Sequence, residues 1–198
     1  MEDVLSVYHR PYDPRFPVVC MDESSKQRIG EVRQPIGMSV NHPRLQDDEY
    51  VRNGVVEIFA EIEPLTGRQY VKITNTRTMK DWVEYIREML DVRYPSAEKV
   101  VLVMDNLNTH GLGSLYEAFL STEADRLAQR LEIHYTPKHG SWLNMAEMEL
   151  SALKLQCLNR RIPTKEEMEQ EVSAWLEKRN AASRKIDWQF KKMMPESS

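Results

Sequence analysis

Two continuous apolar runs, Val18-Val19-Cys20-Met21 and Val100-Val101-Leu102-Val103-Met104, each run straight into an aspartate, Asp22 and Asp105. A short run with no polar alternation reads as a strand buried on both faces, and such strands lie in the middle of a sheet covered by helices on both sides. If the helix between the runs acts as a crossover, the two strands are parallel and their carboxyl ends emerge at one edge of the sheet. That edge is where open α/β sheets bind ligands, so the pattern sets two carboxylates side by side in a crevice. An aspartate after a strand is also ordinary turn chemistry. The repetition at both strands makes that a weaker account of the pair than of either alone.

The rest of the chain fits an α/β fold. Residues 1–17 carry Pro11, Pro14 and Pro17 among polar residues and read as an arm or linker. Glu23 to Tyr50 is polar with little periodicity and reads as a long excursion, with room for a short hairpin. Val55–Ile62 and Arg68–Thr74, rich in β-branched and aromatic residues and separated by Glu-Pro-Leu-Thr-Gly, predict a hairpin. Thr78 opens a helix with Trp82, Val83, Ile86, Met89 and Leu90 at helical spacing, closed by Tyr94-Pro95. After the second apolar run come a helix over 112–130, broken near Ser121, a strand at Leu131–Tyr135 and a helix from Trp142 to Leu158. A last helix is opened by the capping pattern Thr164 to Glu167, with Met168, Val172, Trp175 and Leu176 inward. The expected organisation is one domain over 18–190 with a tail at 191–198, a size ordinary for a single core.

Composition narrows the function classes. No run approaches the ~20 apolar residues of a membrane span and Met1–Arg10 is not signal-like, so no membrane role and a cytoplasmic location are expected. Cys20 and Cys157 sit in apolar contexts and predict buried thiols without a redox role. The formal charge of -4 argues against a uniformly basic DNA-coating protein but allows a local path. Residues 151–198 hold 10 Lys/Arg against 7 Asp/Glu, whereas residues 1–150 hold 17 against 24, so basic character gathers late in the chain.

Two carboxylates held close repel unless a cation lies between them, and hard divalent cations prefer oxygen ligands. Mg2+ or Mn2+ is the natural guest. The helix from Trp142 can supply a third carboxylate from Glu147 or Glu149, which flank its core stripe of Leu143, Ala146, Leu150, Leu153 and Cys157 on opposite sides. Periodicity alone does not choose between them. Glu147 shares its flank with Asn144, Ser151 and Lys154, Glu149 with Met145, Ala152 and Gln156, and the polar flank makes the better site wall.

These residues carry a resemblance. Asp105-Asn-Leu-Asn-Thr-His110 and, roughly forty residues on, His139-Gly-Ser-Trp-Leu-Asn-Met-Ala-Glu147 resemble the second and third catalytic blocks of mariner-like DDE transposases, especially their bacterial insertion-sequence branch. Pro17–Glu23 resembles the first block, and the likeness runs from about Pro11 to Phe190. The family's third carboxylate follows Leu-Asn-Pro-Ile; Leu143-Asn144-Met145-Ala146 stands in its place here without the proline, which puts the role on Glu147 and keeps Glu149 as second choice. The resemblance implies an RNase H-like mixed sheet with flanking helices. It implies cleavage and strand transfer of DNA by Asp22, Asp105 and Glu147, first by water and then by a liberated 3′-hydroxyl. It also implies two Mg2+ or Mn2+ ions as cofactor, transposon ends and target DNA as partners, and a homodimer on DNA.

Candidate DNA contacts are Lys138, His139, Trp142, Lys154, Arg160 and Arg161, with Arg33 and Arg44 as second choices. Each has a plain reading as solvated charge or a packed ring. His110 could orient a phosphate or serve as a structural hydrogen-bonder. A zinc site from His110, His134, His139 and Cys157 fits no compact ligand spacing. No helix-turn-helix precedes Asp22, so a catalytic domain cut from a longer chain, the second frame of a split element and a silent relic that binds DNA or oligomerises are all expected forms. An RNase H-like nuclease acting on RNA-containing duplexes is the third reading, disfavoured by the spacing from Asp105 to Glu147.

Overall fold

The computed structural model describes residues 1–32, 49–106, 110–182 and 185. Its frame is a five-stranded mixed sheet of order β3-β2-β1-β4-β5. The strands are β1 (Val18–Glu31), β2 (Tyr50–Glu63), β3 (Arg68–Thr74), β4 (Val100–Asp105) and β5 (Leu131–Thr136). β1 is parallel to β4, β4 is parallel to β5, and β1-β2-β3 are antiparallel. The helices are α1 (Glu2–Tyr8), α2 (Met79–Glu88, continued by a π turn at Met89–Arg93), α3 (Leu112–Ala118), α4 (Ser121–Gln129), α5 (Met145–Gln156) and α6 (Lys165–Ala182).

Strand periodicity sorts the core into two layers. Val19 and Met21 of β1 and Val100, Leu102 and Met104 of β4 pack with Trp82, Val83, Ile86 and Leu127 on the α2–α4 side. Val18 and Cys20 of β1 and Val101 and Val103 of β4 pack with Leu143, Met145 and Ala146 on the α5 side. Both apolar runs are therefore buried on two faces, as the absence of alternation predicts. Further along α5, Leu150, Leu153 and Cys157 join Val56, Ile58 and Ile73 of the hairpin and Met168 and Val172 of α6. Both cysteines are free and buried. Among the described residues no helix is long and apolar enough to cross a membrane.

Several boundaries differ from the sequence reading, that of β2 among them, which begins at Tyr50 and not at Val55. Residues 1–17 contain a helix: Val4 and Val7 of α1 are fully buried against the α5-side core, and the Tyr8 hydroxyl donates to the Leu143 carbonyl at 2.6 Å. β1 continues past Asp22 to Glu31, so the polar stretch read as the start of an excursion is strand paired with β2 from Cys20↔Ile62 to Glu31↔Tyr50, with a register shift between Gln27 and Ile29. Antiparallel backbone pairing requires no apolar side chains, and Ser24 to Ile29 are half-buried or exposed. The expected 142–158 helix begins later. Ser141–Leu143 form a 3-10 turn, and the Asn144 side chain caps α5 by accepting from the Ala146 N–H at 3.1 Å. Arg33, Arg44 and the 191–198 tail lie outside the described residues.

Under the hairpin the core contains a buried charge pair. Arg93 donates from Nε and Nη2 to the Glu61 carboxylate at 2.8 and 3.1 Å, the Tyr85 hydroxyl adds a bond at 3.0 Å, and the Tyr70 ring lies 4.0 Å from the guanidinium carbon. Burial pushes the Glu61 carboxyl up, and Arg93 works against that shift. Removing one partner of such a pair strands the other charge in the core. Arg93→Met should lower the unfolding free energy by about 3–5 kcal/mol in urea titrations, with a substantial part regained in Arg93→Met/Glu61→Gln. A loss below 1 kcal/mol in the single variant would show the pair to be solvated.

Candidate active site

The parallel pairing of β1 with β4 covers three rungs, Val18↔Val101, Val19↔Leu102 and Cys20↔Val103. Continuing that register sets Asp22 level with Asp105. Strand alternation puts Asp22 on the face of Val18 and Cys20, and Asp105 on the face of Val101 and Val103, which is the α5 face for both. The two aspartates line one narrow crevice with Met21, Glu23 and Met104. Asp105 ends its strand as expected. Asp22 instead lies within β1, at the point where the pairing with β4 stops.

The strand's departure there has a local cause. The Glu23 N–H donates to Asp22 Oδ1 at 2.8 Å, a side-chain bond that diverts a backbone donor from the ladder. Asp105 is held from the other side: Thr136, in register with it on β5, donates its hydroxyl to Asp105 Oδ1 at 2.6 Å. Thr136 is buried and was not singled out from the sequence. Its signal was there: β4 and β5 are each six residues long, so a hydroxyl closing β5 falls beside the carboxylate closing β4.

The two glutamates weighed as a third carboxylate lie in the first half of α5, Glu147 in its first turn. Glu147 and Glu149 point to different neighbours. Glu149 accepts from Gln69 Nε2 at 2.8 Å and pairs with Arg179 of α6, a tie between α5, the hairpin and α6. Glu147 is half-buried, and its charge is among those that raise the Asp22 pKa. Asp22 is pushed up to about 7, foremost by burial, then by the Asp105, Glu147 and Glu23 carboxylates, with the Glu23 N–H opposing. None of Asp22, Asp105 and Glu147 has a Lys or Arg partner among the described residues. The oxygen-only donors and their crowded, unneutralised charge fit a hard divalent cation. As drawn they do not close into a ligand cluster: among the described residues no three His, Cys, Asp or Glu side chains are gathered tightly enough to hold an ion.

Glu23 faces the opposite side of the sheet. Its Oε1 lies 2.9 Å from His110 Nδ1 and its Oε2 3.4 Å from Arg77 Nε, and the His110 ring stacks on Trp82 with centroids 5.5 Å apart. His110 is buried, and the Glu23 approach is close but not aligned as a hydrogen bond, leaving both ring nitrogens without one among the described residues. His110 therefore sits behind the crevice in the α2-side core. The four groups weighed for zinc are dispersed: His134 bridges Asp3 and Glu132, and Cys157 packs with the hairpin and α6.

Residues 17–169, well over half of the chain, match the family described as DDE superfamily endonuclease. The chain belongs to that family. No curated protein matches it significantly by sequence. Among solved structures, the Mos1 mariner paired end complex with Mn aligns at TM-score 0.57 and 15% identity, covering 89% of this chain and 52% of that one. A pre-cleavage Mos1 transpososome aligns at 0.56 and 15%, covering 94% and 61%. A simian T-cell lymphotropic virus intasome in complex with PP2A regulatory subunit B56 gamma aligns at 0.51 and 9%, covering 96% and 63%. The chain thus spans just over half to three fifths of these relatives' lengths. The shared fold is the RNase H-like mixed sheet with flanking helices.

In this DDE domain the candidate DNA contacts fall into two groups. Lys138, His139 and Trp142 are exposed in the β5–α5 connection, which leaves the sheet at Thr136 beside Asp105. Lys154 is exposed two turns along α5 from Glu147. Arg160 and Arg161, beyond α5's far end, are engaged: Arg160 pairs with Glu171, and Arg161 pairs with Glu31 at 2.5 Å. The sequence offered no sign of these partners.

The Asp22 shift has a thermodynamic sign. Its folded pKa lies above the ordinary 3.8, so the folded state binds the proton more tightly, and the stabilisation present below about pH 4 is lost as pH rises through about 7. In EDTA the thermal midpoint should fall between pH 5 and 8, with a shallower fall in Asp22→Asn. The buried Glu61 and Glu63, also raised, supply the remaining slope. An identical slope in Asp22→Asn would show that Asp22 titrates normally.

Proposed function

We propose that this chain is the catalytic domain of a DNA transposase, cutting and rejoining DNA strands with Asp22, Asp105 and Glu147 as the metal-holding triad. The observation that carries this reading is the placement of Asp22 and Asp105, from two parallel strands, together in one crevice where the pairing of β1 with β4 ends. Glu147 adds its charge from the overlying helix, and among the described residues none of the three has a Lys or Arg partner. The Mn- and Mg-containing complexes of the structural relatives support a divalent cation for this site. Transposon-end DNA, target DNA and a homodimer assembled on them are the partners in this reading, by analogy with those transpososomes.

The carboxylates would hold two Mg2+ or Mn2+ ions, with Glu147 brought in by rotation about its flexible side chain. When bound, the metal supplies Lewis-acid activation of the attacking oxygen and stabilisation of the leaving oxygen in an in-line displacement at phosphorus. The protein's own part is positioning. Thr136 fixes the Asp105 carboxylate, the Glu23 N–H fixes that of Asp22, and Asp22, its carboxyl raised to about 7 foremost by burial, would give up its proton in holding a cation. Lys138, exposed in the β5–α5 connection, and Lys154, exposed along α5, offer positive charge to a DNA backbone, and Trp142 offers an exposed ring to an unpaired base. The cytoplasm is the compartment in which such a domain meets its DNA.

A silent, DNA-binding or oligomerising relic is the second reading, favoured by the absence of a closed ligand cluster among the described residues. Mn2+-dependent nicking of supercoiled plasmid and of the parent element's terminal DNA separates the two. The active reading predicts nicking by the wild type and a loss of at least 100-fold in Asp105→Asn and Glu147→Gln, the scale expected when a metal ligand is removed. Glu149→Gln should nick normally while losing about 1–3 kcal/mol of stability, because it breaks the part-buried pair with Arg179. Undiminished nicking by Asp105→Asn would show that the triad does not carry the cutting, and no nicking by any form would leave the relic reading standing.

A further inference from the structure

Asn144 is 1% exposed and spans the gap between the strand carrying Asp22 and the helix carrying Glu147. Its Nδ2 donates to the Met21 carbonyl at 2.8 Å, one residue before Asp22. Its Oδ1 accepts from the Ala146 N–H at 3.1 Å, one residue before Glu147. Its own carbonyl accepts from the Glu147 N–H at 3.1 Å. The rung Cys20↔Val103 is the last of the parallel pairing, so the amide grips β1 just beyond its pairing with β4, where β2 alone among the strands still holds it. The preceding residue is anchored too, by the Tyr8 hydroxyl on the Leu143 carbonyl.

A serine or aspartate would cap α5 as well as asparagine does, because capping requires only an acceptor. What those residues lack is an amide donor that reaches a strand carbonyl while the same side chain's oxygen caps the helix. Burying an amide is unfavourable unless both its ends are bonded, and here both are. The use of asparagine at this position therefore follows from the tether to Met21 and not from the cap.

We propose that Asn144 is a positioning residue: it ties Glu147 to Asp22 and so sets how tightly the carboxylate triad holds a divalent cation. The proposal rests on reading Asp22, Asp105 and Glu147 as that triad. Asn144 itself touches no reacting group. Its effect passes through the separation of the two carboxylates, so the loss of the tether should weaken metal binding more than it weakens folding.

The test uses the full chain with Asn144→Ser and Asn144→Asp, both of which retain a capping acceptor. Mn2+ binding is read from the loss of the free-ion electron paramagnetic resonance signal, metal-free stability from thermal melts in EDTA, and nicking from its dependence on Mn2+ concentration. Each variant should melt within a few degrees of the wild type, bind Mn2+ about 10- to 100-fold more weakly, and recover nicking as Mn2+ is raised. Wild-type Mn2+ affinity in either folded variant would overturn the proposal, as would a nicking defect that added Mn2+ does not relieve. Should Asn144→Ser fail to fold, Asn144→Asp decides alone, and unfolding of both would make Asn144 a folding residue and overturn it as well. Asp105→Asn is the control. If it too binds Mn2+ like the wild type, the triad reading itself has failed; if it loses Mn2+ while the Asn144 variants keep it, only the tether has.

Discussion

Three rungs of parallel pairing between β1 and β4 carry the geometry of the whole site. They put Val18, Cys20, Val101 and Val103 under α5 and α1, and Val19, Met21, Leu102 and Met104 under α2 and its neighbours. A slip of one residue would turn every one of these side chains to the wrong face and would move Asp22 from the α5 side to the side of Trp82. The rigid core thereby fixes two like charges next to each other, an arrangement that neither carboxylate would choose alone.

That arrangement explains why the sheet stops being regular where it does. At Asp22 the backbone N–H of Glu23 turns to a carboxylate oxygen, and the ladder toward β4 ends. From there β1 runs on to Glu31 with β2 as its antiparallel neighbour, and the strands part at the carboxylates. One face of this opening is backed by the buried Glu23, His110 and Trp82 group and the other is roofed by the first turn of α5. The proposed site lies where the pairing of β1 with β4 runs out.

Much of this was legible in the sequence because it follows from periodicity. The unalternating runs gave the central strands, and their shared ending gave the aspartates. Thr78 gave the start of α2, where its hydroxyl and the Asp81 carboxylate bond reciprocally. The polar half of β1 was not legible, since strand pairing outside the helical cover needs no apolar face. Nor was α1: a seven-residue helix offers only Val4, Val7 and Tyr8 as a pattern, and three following prolines suggest an arm. The choice between Glu147 and Glu149 was undecided on the helical wheel for a related reason. It turns on Gln69 and Arg179, which reach Glu149 only through the tertiary packing of β3 and α6 against α5. Arg160 and Arg161 illustrate the same limit, as a basic pair in sequence whose partners come from α6 and β1.

In the proposed reading a rigid sheet and one helix turn hold Asp22, Asp105 and Glu147 for divalent metal in a DDE endonuclease domain. Anomalous diffraction from crystals of the full chain soaked in Mn2+ tests it most directly, because it locates the ion without reference to activity. The account predicts anomalous density against both the Asp22 and Asp105 carboxylates, with Glu147 turned toward it and Glu149 still on Arg179. Manganese bound only elsewhere on the chain, or bound by Glu149 in place of Glu147 with the aspartates free, would contradict it.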